Sequence, residues 1–165
     1  MPLQIVPLHN DSADAIIDII LSIQQKEFHI PITLEDQPDL LEIDQFYHTD
    51  GGGFWGAYID GQLVGTISLI KYSSHSGAIR KMFVKKEFRG KKWGAAQQLL
   101  NTLVNYAKNH QITDIYLGTI HILHAAIRFY ERNHFEQIAK KDLPTAFPVM
   151  GADNTFYHLT VSKWN

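Results

Sequence analysis

The feature that most restricts this chain is the run from Ala78 to Ala107, AIRKMFVKKEFRGKKWGAAQQLLNTLVNYA, whose residue period changes partway along. Ala78 to Val84 reads as a strand, with Ile79, Lys81 and Phe83 alternating against Ala78, Arg80 and Met82. Phe88 to Gly94 is a turn bearing two glycines and three cations. From Ala95 the spacing is helical: Ala96, Leu99, Leu100, Leu103, Val104 and Ala107 fall on one face. A strand that runs through such a turn into a helix presents unpaired backbone N–H groups at the positive end of the helix dipole, which is an anion site. Gly90 and Gly94 permit positive φ or close approach of backbone to a ligand. Arg89, Lys91 and Lys92 add full charges, so a phosphate or pyrophosphate is the natural guest. The glycine-rich patterns of nucleotide triphosphatases and of dinucleotide folds are both absent. Taken alone, the pattern also fits a βα connection with a solvated basic surface.

The flanking sequence supplies the rest of an α/β domain. Leu3 to Leu8 reads as a short strand, with Pro7, which removes a ladder donor, marking either a sheet edge or the strand's exit. Asn10, Asp11 and Ser12 offer N-cap chemistry to a helix carrying Ile16, Ile17, Ile19, Ile20 and Ile23, which Pro31 stops. Asp39 to Tyr47 reads as a second short helix with Leu40, Leu41, Ile43 and Phe46 inward. Phe54 to Ile59 and Leu63 to Ile70 flank Asp60-Gly61, a hairpin signal, and with Ala78 to Val84 make an antiparallel meander. Beyond the long helix, Ile115 to Ile120 is an apolar strand, placed parallel to the strand at Ala78 by the helical crossover. A helix over His121 to Asn133, a strand from Phe135 to Ile138, a proline-bearing loop and a last strand from Thr155 to Val161 complete the chain.

The 165 residues fit a single domain, 1–165, able to bury its own core. With no cysteine, disulfides, thiol nucleophiles and thiolate metal sites are excluded. No signal-like N-terminus and no apolar run of bilayer length is seen, so the expected location is cytoplasmic, with no membrane partner. His121 and His124 have i,i+3 spacing but no suitably placed carboxylate, and no metal is expected. Charge is unevenly distributed. Lys26 is the sole cation in residues 1–70, among many carboxylates, whereas Glu87 is the sole carboxylate between Arg80 and Lys92. The basic cluster with Phe83, Phe88 and Trp93 could stack nucleic-acid bases, but a pI near 6.5 argues against a nucleic-acid partner.

Arg89-Gly90-Lys91-Lys92-Trp93-Gly94-Ala95, preceded by Met82-Phe83-Val84, resembles the acyl-CoA-binding turn of the GNAT superfamily of N-acyltransferases, usually R/Q-x-x-G-x-G/A. Lys92 stands where the middle glycine is usual. Ala126 to Phe135, AIRFYERNHF, is similar to the family's A-I-x-F-Y-E-K-x-G-F, with Leu123 in place of an upstream asparagine. His134 replaces the glycine, which suggests a different helix C-cap.

The resemblance implies a mixed, mostly antiparallel sheet of six to seven strands flanked by about four helices, with a parallel strand pair splayed at the acyl-CoA site. It implies acetyl-CoA as cosubstrate. Main-chain groups of Met82, Phe83 and Val84 would meet the acyl and pantetheine portions, and N–H groups from Arg89 to Ala95 the pyrophosphate. Tyr130 matches the tyrosine that protonates the leaving thiolate, its phenol being protonated at neutral pH; its other reading is an aromatic packed on the sheet. Glu27 and His29, at the end of the first helix, are the candidates for accepting the amine's proton, with Glu27 preferred. His29, Asp36, Thr119 and Tyr157 are candidates for lining the acceptor cleft. The expected activity is acetyl transfer to a primary amine of a small acceptor, with acidic residues favouring a cationic one. A catalytically silent CoA-binding module of the same fold is the alternative. Edge-strand pairing, frequent in this fold, makes a homodimer the default assembly.

Overall fold

The structure is a computed structural model that describes residues 2–164. Seven strands form one sheet: β1 (Leu3–Pro7), β2 (Gly53–Ile59), β3 (Gln62–Lys71), β4 (Ser76–Val84), β5 (Asp114–Thr119), β6 (Glu136–Ile138) and β7 (Thr155–Thr160). Their order is β1-β2-β3-β4-β5-β7-β6, and the β4–β5 pair is parallel while the others are antiparallel. The mixed, mostly antiparallel sheet expected from the sequence is therefore present. Asp60 and Gly61 have φ of 54° and 76°, the left-handed pair that a two-residue hairpin turn with the right twist requires.

The α-helices are α1 (Ala13–Leu21), α2 (Ala95–Asn109) and α3 (His124–Arg132). On one face of the sheet α2 buries Leu99, Leu100, Leu103, Val104 and Ala107 against Trp55, Val64, Ile67 and Ile79, and Tyr130 of α3 joins the same core. The opposite face carries α1, whose Ile16, Ile19 and Ile20 meet Leu40, Ile43, Tyr47 and Phe54.

Two helical boundaries differ from the sequence reading. The first helix continues past α1 as a π-helical turn over Ser22–Glu27, closed by Phe28 N–H donating to Ile23 five residues back at 3.1 Å. Asp39 to Tyr47 is not one helix but a 3-10 turn (Pro38–Leu41) and a π-helical turn (Asp44–His48), separated by the non-helical Glu42. The wider turn moves the inward position on by one residue. Tyr47 is buried and Phe46, expected inward, is 42% exposed, as is Leu41 at 58%.

The decisive local event lies in β4. Ser68 pairs with Arg80 and Thr66 with Phe83, so Ile67 faces two residues, Lys81 and Met82. Lys81 takes φ of 54°, and the hydroxyls of Thr66 and Ser68 donate at 2.7 Å to the carbonyls of Lys81 and Arg80. This bulge bends the strand. It also overturns the simple alternation read from the sequence: Ile79, Met82 and Val84 pack on the α2 face, while Lys81 and Phe83 turn to the α1 side. Pairing with β5 holds at Ser76↔Asp114, Gly77↔Ile115 and Ala78↔Tyr116 and then stops. β5 remains paired with β7 as far as Thr119, and β4 with β3 as far as Val84. The two parallel strands splay, and a gap opens through the sheet.

Candidate active site

A cavity of about 470 Å3 fills that gap. Its walls are β4 from Ile79 to Phe83, β5 from Leu117 to Thr119, and Tyr130 of α3. The segment 30–37 and the loop Met150–Asp153 close it from the α1 side. Because β4 has no β5 partner beyond Ala78, the main-chain polar groups along this edge are available to a ligand. Tyr130 is buried, and its hydroxyl donates across the gap to the Met82 sulfur at 3.5 Å. Burial first, and then the charge of Asp153, push the phenol well above its ordinary value. It stays protonated at any physiological pH.

The basic turn lies at the N-terminus of α2. Gly90 and Gly94 have φ of 99° and 66°, so both glycines are used for backbone conformations a side chain would strain. Lys92 has no positive φ, so a lysine is accommodated there without backbone strain, and its ammonium rests 5.1 Å from the Trp93 ring centroid. No side chain caps α2. Its first N–H groups therefore point outward with the positive end of the dipole, flanked by the exposed Lys91 and Lys92. Phe88 and Trp93 pack edge to face at 5.2 Å and rest partly buried against the core.

Arg89 is committed differently from the other cations. Its Nε donates to the Val84 carbonyl at 2.8 Å and its guanidinium takes both oxygens of Glu27. Glu27 is thus tied to the turn and lies outside the cavity, and the exposed His29 is outside it as well. Asp36 is at the cavity wall, its carboxylate accepting from the N–H and hydroxyl of Thr33. Thr119 is buried in the wall. Tyr157 sits beneath the site, 6.3 Å from Tyr130 by ring centroids, and donates to Glu131 at 2.9 Å. Met82 and Phe83 line the gap, while Val84 is buried in the core. The structure thus gathers Met82, Phe83, Thr119, Asp36 and Tyr130 around one cavity, and places the turn 89–95 apart from it.

Several wall residues escape sequence reading. Lys81 Nζ is buried against Gln37 Oε1 and lies 3.8 Å from Asp39. Gln37 and Gln24 exchange reciprocal amide hydrogen bonds, and Tyr47 donates to Asp39. Burial lowers the Lys81 ammonium from 10.5 to about 8, opposed by the Asp39 charge and assisted by that of Arg80. In sequence Arg80 and Lys81 belong to the basic run, yet both line the cavity. Asp153, in a loop before β7, is the other unexpected wall residue, and Asp-Asn ahead of a strand carries no signal beyond that of a turn.

Among the described residues one trio, His9, Asp44 and His48, has atoms close enough for a metal. His48 Nε2 meets the Leu8 carbonyl at 2.7 Å, so that nitrogen must donate and has no lone pair for an ion. No helix of the described residues is long and apolar enough to cross a membrane.

Comparison with known proteins gives a consistent result. Residues 17–135 match the family model described as acetyltransferase (GNAT) family. N-acetylaspartate synthetase of Rattus norvegicus is 30% identical over 106 residues, covering 63% of this chain and 35% of the relative. The chain therefore spans about a third of that relative's length. The crystal structure of an acetyltransferase of GNAT family from Staphylococcus aureus Mu50 superposes with a TM-score of 0.93 at 38% identity, covering 97% of this chain and 99% of that one. PaiA N-acetyltransferase from Thermoplasma acidophilum, solved in complex with coenzyme A, shares the fold with a TM-score of 0.74 at 17% identity, covering 97% and 99% of the two chains.

Proposed function

Because the chain belongs to the acetyltransferase (GNAT) family, a family of acetyl-CoA-dependent N-acyltransferases, we propose that it transfers an acetyl group from acetyl-CoA to the primary amine of a small acceptor. The observation that carries this reading is the splay of β4 from β5, with the Tyr130 hydroxyl directed across it onto a sulfur of β4. Pantetheine enters the gap as a strand-like guest, with its amides on the free edge of β4. Its pyrophosphate takes the uncapped N–H groups of α2 and the ammonium groups of Lys91 and Lys92. The coenzyme A held by the Thermoplasma relative supports this donor.

Transfer is direct. The neutral amine attacks the thioester carbonyl, the C–N bond forms, the C–S bond breaks, and the departing thiolate takes the Tyr130 proton. Burial keeps Tyr130 protonated before transfer, and because a thiolate is a weaker base than a phenolate, the proton moves to sulfur as Tyr130 takes another from the nitrogen of the collapsing tetrahedral intermediate. On the acceptor side the cavity holds both signs of charge, Arg80 and Lys81 with Asp36 and Asp153. This suits an acceptor that carries a carboxylate as well as its amine, in line with the amino-acid product after which the rat relative is named.

Calorimetric titration with acetyl-CoA and with CoA tests the donor. Micromolar binding is expected, weakened at least about tenfold in a Lys91→Ala, Lys92→Ala double variant. Tyr130→Phe is expected to bind acetyl-CoA normally and to lower kcat on an amine panel by about a hundredfold. Absence of binding to either ligand overturns the reading. Binding without transfer to any amine favours a silent CoA-binding module.

A further inference from the structure

We propose that Asp153 receives the acceptor's ammonium group and removes the proton that frees the amine for attack, an assignment that rests on the acetyl-transfer reading. The carboxylate lies directly over the backbone of β5 at the point where that strand has left β4: a Cβ built on Gly118 would come within 2.4 Å of Asp153 Oδ2. A side chain at 118 would displace it from there. Its oxygens therefore border the same gap as Met82 and Tyr130.

The position is held from both sides. Asp153 N–H donates to the Met150 carbonyl at 3.1 Å, and the next residue is clamped to the end of β5 by Asn154 N–H donating to Thr119 at 3.0 Å. Asn154 Oδ1 accepts from the His121 N–H at 2.9 Å and its amide donates to His121 Nδ1 at 2.7 Å. So much fixation of the backbone contrasts with the carboxylate itself. Among the described residues it forms no ion pair, although it is partly buried, and the backbone of Met150 is the hydrogen-bonding group beside it. A half-desolvated carboxylate without a cationic partner is costly, and a cationic guest offsets that cost. The guest the cavity admits is the acceptor's ammonium.

The groups facing Asp153 are Arg80 of β4 and Tyr130 of α3. Burial raises its carboxyl above the ordinary value, partly opposed by the Arg80 charge and by the Met150 hydrogen bond. A raised carboxyl is a better base than an exposed aspartate. The proton account closes: one proton passes from R–NH3+ to Asp153 and on to solvent. A second reaches the thiolate from Tyr130, which recovers it from the nitrogen as the tetrahedral intermediate collapses. The products are amide, CoA thiol and one released proton.

The test uses the full chain, labelled at the aspartate γ-carboxyls and saturated with CoA. The Asp153 resonance is identified by its loss in Asp153→Asn. Ethylammonium, which can donate hydrogen bonds, is expected to shift that resonance, whereas tetramethylammonium at equal ionic strength leaves it in place. Equal responses to the two salts, or none, overturn the assignment. This readout does not depend on finding the natural acceptor. With the best amine of the panel, Asp153→Asn is expected to lower kcat/KM by about a hundredfold and to remove the acid limb of its pH profile. KM for acetyl-CoA stays unchanged. Retention of that limb, or a loss of less than about threefold, assigns Asp153 a merely structural part. Loss of acetyl-CoA binding by the unmodified protein is the separate failure of the donor reading.

Discussion

His134 shows how a single position can depart from a family pattern while preserving its geometry. A histidine in place of glycine suggested a different end to α3. Instead His134 adopts φ of 71°, the left-handed conformation that glycine would supply, and Phe135 N–H reaches back to the Tyr130 carbonyl at 3.1 Å. The cap is kept, and the backbone strain falls on a residue whose side chain is exposed. Replacing His134 with glycine is expected to stabilise the protein by about 0.5–1 kcal/mol, seen as a rise of roughly 2 °C in Tm, with acetyl-CoA binding unchanged. Lys81 is the second residue of this kind. Its left-handed backbone is retained by two buried hydroxyls from β3, and the strain produces the bulge on which the site is built.

Among the elements, the basic turn is joined to the end of the first helix by the Glu27–Arg89 pair, whose side chains are 24% and 34% exposed. Arg89 also caps β4 through the Val84 carbonyl, and lies 5.6 Å from the Phe28 ring centroid. The pair therefore shapes the turn, while Lys91 and Lys92 stay exposed beside the uncapped N–H groups of α2. Glu27→Gln keeps the volume and removes the charge. Solvent screening limits the expected loss in urea unfolding to about 1 kcal/mol or less. The acid limb of the pH–rate profile is expected to persist in this variant, and its disappearance would return the base role to Glu27.

At the scale of the whole molecule, the α1 side of the cavity is built around buried polar groups that shape the pH dependence of stability. Lys81 titrates near 8 in the folded protein against an ordinary 10.5, so the unfolded chain binds the extra proton between those values. Stability is therefore expected to rise as pH increases from about 8 to 10.5, by roughly 3 kcal/mol in the limit. The tyrosines act in the opposite sense: Tyr72 and Tyr157 are raised to about 12, mainly by burial, so the unfolded chain loses their protons first and stability falls above about pH 10. Urea unfolding across this range is expected to show a maximum between the two effects. In Lys81→Met the rise disappears while the fall at high pH persists. A rise that survives in the variant would place its origin elsewhere.

The sequence by itself determined most of the elements and the half of the candidate site made from contiguous residues. Periodicity placed α2, the Asp60-Gly61 hairpin and the strand order around the crossover, because each depends on spacing within a few residues. The turn from Arg89 to Ala95 and the placing of Tyr130 on a helix beside the sheet were legible for the same reason: the backbone groups of such a turn and one helical face are set locally. Only the tertiary structure decided the rest of the cavity wall. The bulge at Lys81 depends on hydroxyls from β3, and it turns Arg80 and Lys81 away from the basic surface into the cavity. Glu27 acquires its partner, and Asp153 its place over Gly118, across long sequence separations. No local pattern encodes such meetings, since they arise when β4 bends away from β5 and the packed loops fill the space beside the gap.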